Sequence, residues 1–276
     1  MTIEFAAMQF FNNPSDPQLI LTRSEERGEA GRVAYVTVNN PDERNALGRQ
    51  GKEELIAAFK ALAADKGLRV AVLTGAGVES FIAGANLKEM SEVDLKDAED
   101  ISTKTHLVCD AIRRLPVPVI ARINGYCLGA GMEIAASCDM RVGVDTAKFG
   151  MPEVRFGIPS GMEACLLPGL IGWGKTRELV FTGEMIDAQE AHRCGFLDRL
   201  VAPSELDAAV DKWVSAILAA GPRAIRIQKR LVRDWERMTI DDAVRQGIAA
   251  VVEARKTEEP KRLMEAFVNR KKRVNE

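Results

Sequence analysis

Two carboxylates and a run of small residues are the part of this chain closest to chemistry. Asn124-Gly125-Tyr126-Cys127-Leu128-Gly129-Ala130-Gly131-Met132-Glu133 ends on an acid. Glu153 stands twenty positions later, inside Gly150-Met151-Pro152-Glu153. Small residues let a ligand or another backbone come close and tolerate positive φ. A helix opening within the run would leave its first N–H groups unpaired at the positive end of its dipole, where a developing oxyanion can rest. Two nearby carboxylates could then move protons. Glu133 precedes the apolar Ile134-Ala135-Ala136, so its charge needs a partner or a purpose.

A second small-residue segment lies upstream. Val70-Ala71-Val72-Leu73 reads as a buried strand, followed by Gly75-Ala76-Gly77 and then Ser80-Phe81-Ile82-Ala83-Gly84-Ala85-Asn86-Leu87. Ligands of open α/β sheets bind just past strand ends. The segment has neither GxGxxG nor a P-loop GK[ST], so nucleotide binding by those routes is unsupported. Two such loops suggest two backbone donors converging on one oxygen. An acyl carbonyl polarised in this way becomes enolate-like, and its α and β carbons open to acid–base chemistry. One glutamate would activate water, and the other would exchange the proton at Cα.

Few other side chains compete for that role. The two histidines, His106 and His192, read as ordinary helix residues and leave little scope for a triad or zinc site. Cys109, Cys127, Cys138, Cys165 and Cys194 are odd in number and lack CxxC spacing, which suits reduced thiols in the cytoplasm. Glu163 is a third acid near the pair and reads as a first-turn helix acid.

The elements that must position these groups alternate. Arg32–Asn39 reads as a strand, residues 48–65 as a helix through Leu55, Ala58, Phe59 and Leu62, and residues 92–114 as a charged helix. Val117–Ile123 and Met140–Val144 are further strands, with a helix over about 130–137 between them. Asn12–Pro17 is turn-rich. Strands alternating with helices imply βαβ units and a parallel sheet. From residue 204 the pattern turns helical, with Leu206, Val210, Trp213, Ile217 and Leu218 at helical spacing. The expected division is a core over 1–203 carrying the site and a helical region over 204–276.

The bulk numbers set bounds. The 276 residues are 46% hydrophobic, enough for a large core. Thirty-eight basic and 40 acidic residues give a net charge of −2, which does not point to nucleic acid. No apolar run reaches the ~18 residues needed to span a bilayer. Met1-Thr2-Ile3-Glu4-Phe5 lacks the basic and apolar regions of a signal peptide.

At these residues the chain resembles the enoyl-CoA hydratase/isomerase (crotonase) family, from about Arg32 to Leu200, with a weaker echo in Glu265-Ala266-Phe267. Asn40-Pro41-Asp42-Glu43-Arg44-Asn45-Ala46-Leu47 is similar to the family's CoA-lining P-x-x-x-N-A-L segment. Phe81–Leu87 resembles its F-x-A-G-A-D-L loop, and Gly125–Glu133 its G-x-x-x-G-x-G-x-E motif. Met151-Pro152-Glu153 resembles its P-E motif, and Thr182-Gly183-Glu184 with Gly195-Phe196-Leu197 resembles its T-G…A…G-L-V pattern. The resemblance implies an α/β fold, a crotonase-like spiral of ββα units in two sheets. It also implies a C-terminal helical trimerisation region that covers the active site. It implies backbone N–H donors at Ala85 and Ala130 and two catalytic glutamates, Glu133 and Glu153. Substrate and CoA would lie along Glu43, Arg44, Ala83, Gly84, Asn86, Leu87, Gly129, Pro152 and Gly161. No metal or separate cofactor is implied, because coenzyme A is part of the substrate.

The paired glutamates favour syn addition of water to a trans-2-enoyl-CoA within fatty-acid β-oxidation chemistry. The partners implied are the acyl-CoA and other copies of the chain, as a homotrimer or homohexamer, without nucleic acid or membrane. There are two departures from the family pattern. Asn86 stands where Asp is usual, and Gly157-Ile158-Pro159-Ser160-Gly161 is a shortened loop lacking Gly-Gly-Thr. That loop resembles hydratase-lyases acting on hydroxycinnamoyl-CoA. A Δ3-Δ2 isomerase or such a hydratase-lyase are therefore the alternatives, and a non-catalytic CoA-binding protein is a remoter one.

Overall fold

The computed structural model describes residues 18–274. The turn-rich Asn12–Pro17 and the N-terminal Met1–Phe5 lie outside them. Two sheets share the chain. The larger runs β1(Ile20–Glu26)–β2(Arg32–Val38)–β3(Leu68–Gly75)–β5(Val119–Ile123)–β7(Met140–Val144)–β10(Arg199–Val201). The smaller runs β4(Ser80–Ile82)–β6(Tyr126–Leu128)–β8(Lys148–Gly150)–β9(Met185–Asp187). From β2 to β10 the larger sheet is parallel, and β1 joins it antiparallel. In the smaller sheet only β9 is antiparallel.

The repeat is one strand in each sheet, then a helix. β3 and β4 lead to α2(Leu87–Ser91) and α3(Leu95–Arg114), β5 and β6 to α4(Ala130–Ser137), and β7 and β8 to α5(Leu167–Thr182). This is the spiral of ββα units that the sequence led us to expect. Central strands are buried along their whole length, as every residue of β3 and β5 is. Such strands read as continuous apolar runs. α1(Arg49–Ala64) lays Leu55, Ile56, Phe59 and Leu62 onto the sheet. Amides pin the bends between sheets. Asn124 Nδ2 donates to Gly75 O, Gly77 O and Ser80 O, and buried Asn45 Nδ2 donates to Ala76 O and Ser80 O.

Two expected elements are refined. The charged helix expected over 92–114 is α3, which begins at Leu95 because the Asp94 side chain accepts from Lys96 and Asp97 N–H and caps it there. The strand expected from Val117 begins at Val119. Pro118 has no N–H to donate to a ladder, and contributes only its carbonyl to Ala71 N–H. β4, β6, β8, β9 and β10 went unseen, since three residues carry no periodicity.

The C-terminal region is helical, as expected. α6(Ala188–Arg193) precedes it. α7(Leu206–Ala219) packs Leu206, Val210, Val214 and Ile217 against the larger sheet. α8(Pro222–Trp235) and α9(Ile240–Ala254) share a small core of Ile227, Leu231 and Ala250, and α10(Glu259–Val274) comes last. Ile240, Val244, Ile248 and Val251 on α9 and Met264 and Phe267 on α10 stay exposed.

Candidate active site

The site is built where the smaller sheet ends. β4 and β6 run parallel with Ile82 paired to Cys127, and Ala85 and Ala130 each stand three residues further on. Leu47 forms an isolated parallel bridge with Ala85, donating its N–H to Gly84 O (3.0 Å) and accepting from Asn86 N–H (3.3 Å). Strand alternation therefore turns the Ala85 N–H to the opposite side. Ala130 is the first residue of α4, so its N–H has no carbonyl within the helix. Each alanine thus presents a backbone donor at the same end of the sheet.

Glycine is required at two positions. Gly129 has φ of 52°, in the left-handed region, and a Cβ there would collide with Glu153 Oε1. A Cβ on Gly131 would run into the backbone of Ile82. The small-residue run thus lets Glu153 and β4 close onto the start of α4.

Glu133 is 1% exposed, and its Oε1 accepts from the Ala164 N–H at 3.0 Å. Burial pushes its carboxyl up to about 7. Glu153 and Glu163 push the same way, while the N–H groups of Ala164 and Met162 oppose them. Glu153 is half-buried in a short 3-10 turn, Pro152–Phe156, with Oε2 accepting from Ser160 Oγ at 2.6 Å. Glu163 is buried beside Ala164. Its Oε1 lies 2.6 Å from His106 Nδ1, and its Oε2 has no hydrogen-bond partner among the described residues.

The remaining expected residues divide. Ala83 donates its N–H to Arg44 O (3.1 Å), which ties the loop to the Glu43–Arg44 turn. Glu43 and Arg44 are exposed, and Arg44 pairs with Glu79 at 2.9 Å. Leu87 is exposed at the start of α2, and Pro152 opens the turn that carries Glu153. Gly161 is exposed and makes no close approach to the pair.

A model of the enoyl-CoA hydratase/isomerase family matches residues 28–276. The chain belongs to that family. It is 35% identical over 243 residues to a short-chain-enoyl-CoA hydratase of Clostridium acetobutylicum, covering 88% of this chain and 93% of the relative. A crotonyl-CoA hydratase of Syntrophomonas wolfei subsp. wolfei is 34% identical, covering 92% and 96%. The crystal structure of an enoyl-CoA hydratase from Bacillus anthracis superposes with a TM-score of 0.87 at 28% identity, covering 92% and 97%.

Both departures from the enoyl-CoA hydratase/isomerase pattern have local explanations. Asn86 Oδ1 caps α2 by accepting from Lys88 and Glu89 N–H, both at 3.1 Å, as an aspartate could. Its Nδ2 also donates to Glu43 Oε2 at 2.8 Å, where an aspartate would set like charges together. The shortened loop supplies Ser160 to Glu153. Sequence reasoning missed Ser160, although its place in the loop after an acid was a usable signal. It also missed the burial of Glu163 and its bond to His106, because no spacing links residues so far apart in the chain. The first-turn reading of Glu163 is correct in place: the acid opens a 3-10 turn, Glu163–Leu166. Of the two histidines, His106 is exposed on α3 but bonded to Glu163, and His192 on α6 bonds Leu197 O.

Proposed function

We propose that the protein is an enoyl-CoA hydratase, adding water reversibly and syn to a trans-2-enoyl-CoA to give the 3-hydroxyacyl-CoA. The observation that carries this reading is that Glu153 abuts Gly129, the residue before α4, and bears electrostatically on the buried Glu133 of that helix. In this reading the thioester carbonyl accepts from Ala85 and Ala130 N–H. Negative charge builds on that oxygen as water attacks Cβ. One carboxylate takes a proton from the water as its oxygen bonds Cβ, and the other carboxyl delivers a proton to Cα. Each turnover moves one proton across the pair, so the pair must hold a single proton. The pressure of burial and of Glu153 on Glu133 supports that state near neutral pH.

The CoA portion would run over the exposed Glu43–Arg44 turn beside Asn86 and Leu87. Coenzyme A arrives as part of the substrate, and we assign no separate cofactor. The exposed apolar faces of α9 and α10 support self-association, as a homotrimer or a hexamer of two trimers. No helix among the described residues is long and apolar enough to cross a membrane. All five cysteines are unpaired, which supports a cytoplasmic setting.

The second reading is a hydratase-lyase acting on a hydroxycinnamoyl-CoA, favoured by the short Gly157–Gly161 loop beside Glu153. Purified enzyme offered crotonyl-CoA, a 3-enoyl-CoA and feruloyl-CoA separates the readings. Fastest turnover of crotonyl-CoA, seen as loss of the conjugated thioester absorbance, supports the hydratase. Turnover confined to either of the others overturns it.

A further inference from the structure

A second cavity is lined by charge that the hydration chemistry does not use. It measures about 300 Å³. Its walls hold six cations, Arg114, Arg223, Arg226, Lys229, Arg230 and Arg233, and a single acid, Glu253. Four of the arginines come from α8. Their positions 223, 226, 230 and 233 recur at helical spacing, which puts them on one face. That helix lies across the N-terminal ends of two central strands. Arg226 Nη2 donates to the carbonyls of Asp65, Lys66 and Leu68, at the entry to β3. Lys229 Nζ donates to Asp139 Oδ2 at 2.5 Å, and the same oxygen accepts from Val119 N–H at the start of β5. The Ala85 and Ala130 donors instead follow the C-terminal ends of β4 and β6. No residue lining this cavity belongs to the acyl-CoA site.

The cations are not all answered. Arg114 pairs with Asp110, Lys229 with Asp139 and Arg233 with Asp234. Arg230 and Arg223 share Glu253, at 2.5 Å and 3.9 Å. Arg223 Nε is shut off from solvent and has no hydrogen-bond partner among the described residues. Glu259 is spent on the N–H groups of Arg223 and Ala224. Arg226 meets backbone carbonyls and forms no ion pair among the described residues. Two guanidinium groups thus share one carboxylate, and a third has none. Charges of one sign held together in a concave wall attract an anion.

We propose that this cavity is a second binding site, for a small phosphate-bearing anion held by Arg223, Arg226 and Arg230. Guanidinium forks match phosphate oxygens two at a time, and such charge-assisted bonds are the strong ones. Two linked phosphates offer oxygens to all three forks at once. The cavity is at the small end of ligand pockets, which run from about 300 to 1,000 Å³. Leu115, Pro116 and Ile227 add apolar surface for the organic part of a phosphorylated molecule. Glu253 opposes the anion, and its competition for Arg223 and Arg230 sets the affinity.

The test titrates inorganic pyrophosphate by calorimetry into the full-length protein at low salt, with and without saturating butyryl-CoA. The wild type is expected to bind it with a Kd below about 1 mM, unchanged by butyryl-CoA. Arg223→Gln and Arg226→Gln are each expected to weaken binding by about tenfold or more. Glu253→Gln is expected to tighten it by about threefold or more, a gain that misfolding does not produce. Binding abolished by butyryl-CoA puts the pyrophosphate in the CoA site and overturns the proposal. No binding by the wild type overturns it as well, as when acidic side chains of a second copy fill the cavity. So does an affinity that Arg223→Gln leaves unchanged, or that Glu253→Gln fails to raise.

Discussion

His106 Nδ1 lies 2.6 Å from Glu163 Oε1, joining an exposed imidazole on α3 to a buried carboxyl beside the segment that holds Glu133. Glu163 is one of the groups that keep Glu133 protonated. Gln at this position keeps a hydrogen bond to the imidazole and removes the like charge. Glu163→Gln should therefore move the basic limb of the kcat/KM–pH profile to lower pH, since Glu133 then gives up its proton more readily. A limb that stays in place or moves to higher pH contradicts the electrostatic link.

Glu133 also ties stability to pH. Its folded carboxyl titrates at about 7, above the ordinary 4.5. The folded state therefore holds its proton more tightly than the unfolded chain. Its contribution is full below about 4.5 and is lost as pH rises through about 7, a change on the order of 3 kcal/mol. Glu133→Gln should remove this loss and raise Tm relative to wild type more at pH 8 than at pH 5. Equal Tm differences at both pH values would show that the buried carboxyl is not carrying that cost.

Ser160 donates to Glu153 at 2.6 Å and is the contribution of the shortened loop to the pair. Ser160→Ala should lower kcat about tenfold while KM changes by less than about twofold, because a charge-assisted bond that orients the carboxylate is lost. Steady-state kinetics on crotonyl-CoA read this directly. A change confined to KM would assign Ser160 to binding instead.

Gly129 holds a left-handed φ, and the Glu153 carboxylate packs against its Cα. Gly129→Ala should cost about 1–3 kcal/mol of stability and about a hundredfold or more in kcat. Thermal melts and kinetics on the same preparation separate the two effects. Full activity in the alanine variant would mean that Glu153 works from another position.

Much of this was legible in the chain. The long apolar strands, such as Val70–Leu73, and the helix through Leu55 and Phe59 announce themselves by periodicity. The small-residue run ending at Glu133 signals the opening of α4. The hidden part depends on contacts between distant residues. Asn45, read only within the CoA-lining segment, and Asn124, read only as the start of the small-residue run, stitch the bends. The three-residue strands β4, β6 and β8 form because each lies beside its neighbour, and no local pattern encodes that. Lys52 is a charged residue of α1 with no sequence signal of burial, yet the fold covers it with Ile101 and α3. Its burial is a tertiary fact.

The proposed hydration rests on Glu133 and Glu153 acting together on an enoyl thioester. The most direct measurement is the rate of crotonyl-CoA hydration by wild type, Glu133→Gln and Glu153→Gln, followed by loss of the conjugated thioester absorbance. Each substitution should lower kcat by about 10²–10⁴-fold or more with folding intact. Full activity in both variants would contradict it.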